Sequence, residues 1–215
     1  MKKINYKHYV LELLVVFISI TLAFMLDNWS SSQRNQIMLK EYFESLIIDI
    51  NSDLTTLESS INNIEEILSS YAKMIEFQKI EAPNDSIYFY LDAVLGSEKL
   101  NSNKSTFESL ISSGNINLIS KIEIKKKIFK VYGLYDDAEL SDKANYDYRF
   151  STIIPFLNDY INLITFEGLE ESISTRDFAN ILVTGKGFNQ GQLESYNKLK
   201  EGLTQLLIAV KEEIE

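Results

Sequence analysis

An eighteen-residue apolar run, YVLELLVVFISITLAFML, extends from Tyr9 to Leu26 with Glu12 as its one charge. As a helix rising about 1.5 Å per residue it spans about 27 Å, close to the roughly 30 Å hydrocarbon core of a bilayer. Lys2, Lys3 and Lys7 precede the run, and Asp27 and Trp29 follow it. Basic residues stay on the cytoplasmic side and Trp favours the interface. The run therefore reads as an anchor in the lipid bilayer, with Tyr9, Leu13, Phe17, Leu22, Phe24, Leu26 and Trp29 as its contact residues. The expected organisation is a cytoplasmic N-terminus over 1–8, a transmembrane helix over 9–28 and an extracytoplasmic domain over 29–215. Two other readings stay open. A cleaved signal peptide would suit the basic start, although its nearest cleavage site, Thr21-Leu22-Ala23, lies inside the apolar run. A buried helix of a soluble core would suit the composition alone.

The chain carries a formal net charge of −10. Three Lys and one Glu fall in the first twelve residues, which leaves 18 basic and 30 acidic side chains beyond them. Read as an acidic body without a basic run, the outer part repels phosphate backbones, so nucleic acid is not an expected partner. The same charge argues against lying flat on anionic lipid. There is no Cys, and His8 is the only His. Disulfides, thiolate metal sites, cysteine nucleophiles, Ser-His-Asp catalysis and His-ligated metals are thereby removed from the outer part. No catalytic, cofactor-binding or metal-binding residue is assigned.

Two Pro and eight Gly in 215 residues favour long helices. From Phe43, apolar residues recur at alternating steps of four and three: Ile47, Ile50, Leu54, Leu57, Ile61, Ile64, Leu68, Tyr71 and Ile75. This period belongs to a helix and marks an interaction stripe, which Leu46, Ile67 and Met74 widen. A widened stripe suits a bundle better than a two-stranded coil. Only Ser30, Ser31 and Ser32 weaken the path from anchor to stripe, so either one rod or a short break is expected there. Further helices are expected over 87–95, from Ser105 to a stop at Gly114, from Ser120, and up to a kink at Pro155. Ser105 with Glu108 and Ser120 with Glu123 have capping-box spacing. Tyr146, Phe150, Ile153, Leu157, Tyr160 and Ile164 continue the apolar period. A short helix over 175–183 should end at Gly185-Lys186-Gly187, and a last helix should begin near Gln190. Its buried face should carry Leu193, Tyr196, Leu199, Leu203, Leu206, Leu207, Val210 and Ile214. The fold expected is all-α: a single N-terminal transmembrane helix continuing into a long helix packed in an antiparallel bundle.

Four features could carry chemistry. Asp49 and Asp53 share a helix face, as paired carboxylates do in acid–base or metal sites. A solvated face explains both more simply, and a buried salt bridge or a helix-end contact would also explain Asp53. Glu12 inside the apolar run is a candidate intramembrane functional residue, although snorkelling or pairing with Lys7 or His8 accounts for it too. Gly185 to Gly191 lacks phosphate-loop spacing and reads as a flexible connector. Tyr88, Phe89, Tyr90, Tyr132, Tyr135, Tyr146 and Tyr148 could line a ligand pocket, or could be plain core.

Several segments in combination resemble a known family. They are Phe17 to Trp29; Tyr42-Phe43, Leu46, Asp49 and Asp53-Leu54; Thr106-Phe107-Glu108-Ser109-Leu110 leading to Ser113-Gly114; and Ile116, Leu118-Ile119 and Tyr132. The chain resembles an uncharacterised family of small bacterial proteins, mostly from Bacteroidota, with one N-terminal membrane helix and a helical outer region. The resemblance covers about half the chain and implies no catalytic residues. The expected function is a non-enzymatic interaction or scaffold protein of the bacterial cell envelope, in the inner membrane with its bulk in the periplasm. It would engage a protein partner or assemble with itself. A small-ligand sensor bundle, or an accessory subunit of an ion-driven assembly acting through Glu12, would fit the same features.

Overall fold

A computed structural model describes residues 6–80, 83–162, 164–165 and 167–214. Lys2 and Lys3, and the side chains of Lys7 and His8, lie outside the described residues. Seven α-helices occur among them: α1 (Tyr6–Phe77), α2 (Asn84–Leu95), α3 (Ser105–Ser112), α4 (Ile122–Tyr148), α5 (Ile154–Tyr160), α6 (Leu169–Ile173) and α7 (Arg176–Ile214). No strand occurs among the described residues.

The apolar run and the stripe form one rod. α1 has 72 residues and passes Ser30–Ser32 without a break, about 108 Å in all. No helix breaker intervenes, and three weak helix formers do not outweigh helical flanks on both sides. In the apolar part, the Ser19 and Thr21 hydroxyls donate to the Val15 and Phe17 carbonyls, each at 2.8 Å, so neither is left unbonded.

α1, α4 and α7 form the bundle. α4 runs with α1, since Asn115 just before α4 bonds Tyr42 and Tyr135 bonds Asp53. α7 runs back against both: Lys200 pairs with Glu58, Gly185 touches Tyr71, and Tyr148 bonds Ile181. α2 folds down on the far end of α1, and α3 covers its near end. Gly114, at φ 74°, makes the left-handed turn after α3, which only Gly adopts without strain.

The buried faces follow heptads whose phase differs from the apolar reading. On α1 the inner residues are Phe43, Leu46, Ile50, Asp53, Leu57, Ser60, Ile64, Ile67, Tyr71 and Met74. Of the expected stripe, Phe43, Ile50, Leu57, Ile61 and Ile64 are buried, while Ile47, Leu54 and Leu68 are half-buried and flank the core. Asp53 holds the inner position that an apolar count assigns to its neighbour Leu54, and Ser60 shares the inner face with the buried Ile61. The same effect misplaces the second half of α4. Asp142 and Asn145 are buried there, and Arg149 just beyond it; of the apolar period expected from Tyr146 onward, Ile153 and Leu157 are buried, whereas Tyr146, Phe150, Tyr160 and Ile164 are exposed.

α7 is one helix of 39 residues. It does not stop at Gly185–Gly187 or restart at Gln190, because Gly185, Asn189 and Gln192 continue the buried period into Tyr196 and Leu199. Neither capping box forms. The N-caps are Lys104 and Lys121, and neither makes a side-chain cap hydrogen bond. Pro155 does distort its helix, which widens to a π-turn over Arg149–Ile153 just before it. Its missing N–H and its ring's clash with the carbonyl four residues back account for the opened turn.

Candidate functional site

The core of the bundle holds a layer of buried polar side chains facing the non-helical segment 96–104, in which Leu100 is buried. A non-helical backbone inside a helical core needs partners for every amide and carbonyl it buries. Two acidic positions supply them.

The first is on α1. Asp53 is 1% exposed. It accepts the Asn103 backbone N–H at 2.9 and 3.1 Å and the Tyr135 hydroxyl from α4. Asp49, one turn below, accepts from Asn103 Nδ2 at 2.7 Å and from the Thr106 hydroxyl. Asn103 Oδ1 in turn accepts from the Ser105 hydroxyl at 2.8 Å. The pair therefore holds the start of α3, where unpaired N–H groups and the helix dipole favour anions. This is the helix-end contact; Asp49 does not lie on a solvated face. Burial raises the Asp53 pKa, the Tyr135 and Asn103 hydrogen bonds oppose the rise, and the Asp49 charge adds to it. Burial, with the facing Asp53, raises the Tyr135 phenol well above its ordinary range.

The second is on α4. Asp142 accepts the Leu100 N–H at 2.9 Å on one oxygen. Its other oxygen accepts from Gln192 Nε2 at 2.7 Å and the Tyr196 hydroxyl at 2.8 Å, both on α7. Gln192 Nε2 also reaches the Glu98 carbonyl at 2.9 Å. Asn145 donates to Gln192 Oε1 at 2.8 Å and to Asn189 Oδ1 at 3.0 Å. The Glu98 carboxylate accepts from Ser60 at 2.7 Å and Asn63 at 3.3 Å on α1. Lys104 ends the strap. It pairs with Glu139 at 2.6 Å and lies over the Tyr132 and Tyr135 rings at 5.7 and 6.0 Å. Burial works against its charge, but the acidic partners hold its pKa above the usual lysine range.

These contacts saturate the carboxylates with donors. The arrangement locks a strap across three helices, and neither Asp49 nor Asp53 lines an open groove. Among the described residues, no group of three or more His, Asp or Glu could hold a metal ion.

Other sequence candidates lie apart from this layer. Glu12 is on the apolar span, about 55 Å down α1 from Asp49 at the helical rise. The aromatic residues do not share one pocket: Tyr132 and Tyr135 pack on Phe107, Tyr148 on Phe188, Tyr146 on Phe150, and Tyr90 on Phe77 and Phe89. The Gly185–Gly191 segment is helical, not a flexible connector. Gly187 and Gly191 open a groove of about 730 Å³ between α4 and α7, whose walls include Leu134, Leu140, Ala144 and Phe188. The acidic body also carries a basic run after all: Lys125, Lys126 and Lys127, with Lys121 and Lys130, lie at the start of α4.

Asn103, Asp142, Asn145, Asn189 and Gln192 were missed in the sequence. For the four on α4 and α7 the signal was the continuation of the heptad step through polar residues; Asn103, in the non-helical segment, had none. α1 itself is long and apolar enough at its N-terminal end to cross a membrane, and none of that apolar window is buried. No family model matches the chain, and no curated protein or solved structure matches it either.

Proposed function

We propose that this chain is a single-pass, non-enzymatic interaction or scaffold protein of the bacterial cell envelope, N-terminus cytoplasmic and bulk periplasmic. The observation that carries the reading is one uninterrupted helix with two solvent requirements. From Phe43 to Met74 its apolar face is hidden by the bundle, while from Tyr9 to Leu26 its large apolar side chains stand exposed. An apolar surface of that extent is untenable in water and suits lipid. The exposure speaks against a buried soluble helix. The continuous rod would hold the bundle at a set height above the bilayer and present helix faces to a partner protein or a second copy. This fits the envelope family that the sequence motifs resemble. Crosslinking with mass spectrometry in native membranes tests the reading: it predicts intermolecular crosslinks from the bundle. Recovery of the mature chain in the soluble fraction without its first two dozen residues would overturn it in favour of a cleaved signal.

The groove between α4 and α7 favours a second reading, a sensor for an apolar ligand. Ligand screening by thermal shift separates the two, since a groove ligand raises the unfolding temperature with its concentration. The third role, ion coupling through Glu12, predicts that Glu12→Gln abolishes proton conduction by the assembly; unchanged conduction removes it.

A further inference from the structure

Two outward helix faces of the bundle match each other in spacing, charge and height. On α1, Ile37, Glu41, Glu44 and Ile48 follow i, i+4, i+7, i+11 and so share one face, opposite the buried Phe43, Leu46 and Ile50. Ile37 is 59% exposed and Ile48 69%. On α4, Ile122, Lys126, Phe129 and Gly133 follow the same spacing opposite Ile124, Ile128 and Val131, with Lys125 and Lys130 alongside. Ile122 is 59% exposed and Phe129 52%. A side chain at Gly133 would meet nothing within 4 Å, so the backbone there is open to close approach. One face is apolar and acidic; the other is apolar and basic.

The two faces stand at one level. Tyr135 bonds Asp53, so those residues mark a common height on two helices that run the same way. Ile48 lies five residues below Asp53 and Phe129 six below Tyr135, heights that agree within about 2 Å at the helical rise. Anchoring in one bilayer holds neighbouring copies parallel and level. The α1 face of one copy would then meet the α4 face of the next without vertical displacement.

We infer that the occupant of each face is a second copy of this chain, joined by a repeating α1-to-α4 contact with Ile48 against Phe129 and Glu44 against Lys126, which lie at one height nine residues below Asp53 and Tyr135. The contact is heterologous, so it generates a ring or an open row in the membrane plane rather than a two-fold dimer. Lys126 pairs internally with Glu123 at 2.9 Å and Glu44 with Lys40 at 3.8 Å, but all four are exposed. Exposed pairs of this kind are weak and exchange readily for intermolecular ones.

The inference rests on the membrane-anchored reading, and the test separates the two. The chain has no Cys, so introduced thiols report alone. Full-length Ile48→Cys and Phe129→Cys chains, coexpressed in native membranes and oxidised, should form a disulfide-linked dimer that neither chain forms alone. Lys126→Glu should reduce that dimer about threefold through like-charge contact with Glu44, and adding Glu44→Lys should restore it. These positions are on the surface, so unchanged thermal unfolding confirms the fold. Absence of the mixed dimer, dimers of Ile48→Cys alone, or crosslinking of Phe129→Cys to a cysteine at the exposed Ile208 of α7 (Ile208→Cys) instead would each overturn the contact while leaving the anchored reading in place. Chain recovered free of membranes would overturn both.

Discussion

Asp53 shows how a single side chain holds the bundle together. It lies where an apolar residue would normally pack, and the Tyr135 hydroxyl and the Asn103 N–H both depend on it. Asp53→Ala leaves the buried Tyr135 hydroxyl and the part-buried Asn103 N–H unpaired, at about 1–3 kcal/mol for a buried donor. Urea unfolding followed by circular dichroism should show a loss of about 3 kcal/mol, whereas a loss near zero would mean that water reaches both donors. The sign of the pH dependence follows from the raised pKa. In the window between the unfolded and folded values, the native state binds more protons than the unfolded state. The contribution of Asp53 is therefore fully present below the unfolded value, about 3.9, and is lost as pH rises through the folded one. Relative to Asp53→Asn, the wild type should gain stability as pH falls through that window. A stability difference that stays flat with pH would refute the assignment.

At the level of the element, α7 depends on where its glycines face. A Cβ on Gly185 would come within 2.6 Å of the Tyr71 hydroxyl and 2.8 Å of its ring, in the middle of the bundle. Tyr71 is buried, with its pKa pushed up to about 12 chiefly by that burial, and its hydroxyl donates to the Val94 carbonyl at 3.4 Å. Gly185→Ala must displace that ring and should destabilise by about 1–3 kcal/mol. Gly187 and Gly191 have nothing within 4 Å of the equivalent position. Gly187→Ala should instead stabilise by about 0.5–1 kcal/mol, the helix-interior difference between the two residues. Thermal melts of both variants check the opposite signs. Equal effects would mean that the helix is not continuous through this segment.

In the whole molecule, one rod passes from an apolar span through a sparsely packed neck into a bundle. Between Asn28 and Met38 no α1 residue is buried, whereas from Phe43 onward one face is covered by α3, α4 and α7. Helix without tertiary packing opens locally at low cost. Amide exchange in detergent should therefore be faster over 28–38 than over 43–74 by at least about tenfold, a gap of about 1.4 kcal/mol in opening free energy. Equal protection would imply that a partner or second copy covers the neck.

Much of this architecture was readable from the chain alone. Eighteen apolar residues in series and a sustained step of three and four are local properties, and they dictate helix and the need for burial whatever surrounds them. Tertiary structure decided the phase of that burial. Leu54 looked like an inner residue because it is apolar, yet it only flanks the core, and Asp53 and Ser60 share the inner face with the buried Ile61. Asp53 is kept there by the Asn103 amide and the Tyr135 hydroxyl, and Ser60 by the Glu98 carboxylate. The same reasoning extends α7 through Gly185, Asn189 and Gln192, where composition suggested a break. A polar side chain is stable at a core position only if its partner arrives from a distant part of the chain. Asp53 waits for Asn103 and Asp142 for Gln192, and a count of local apolar spacing carries no information about either meeting.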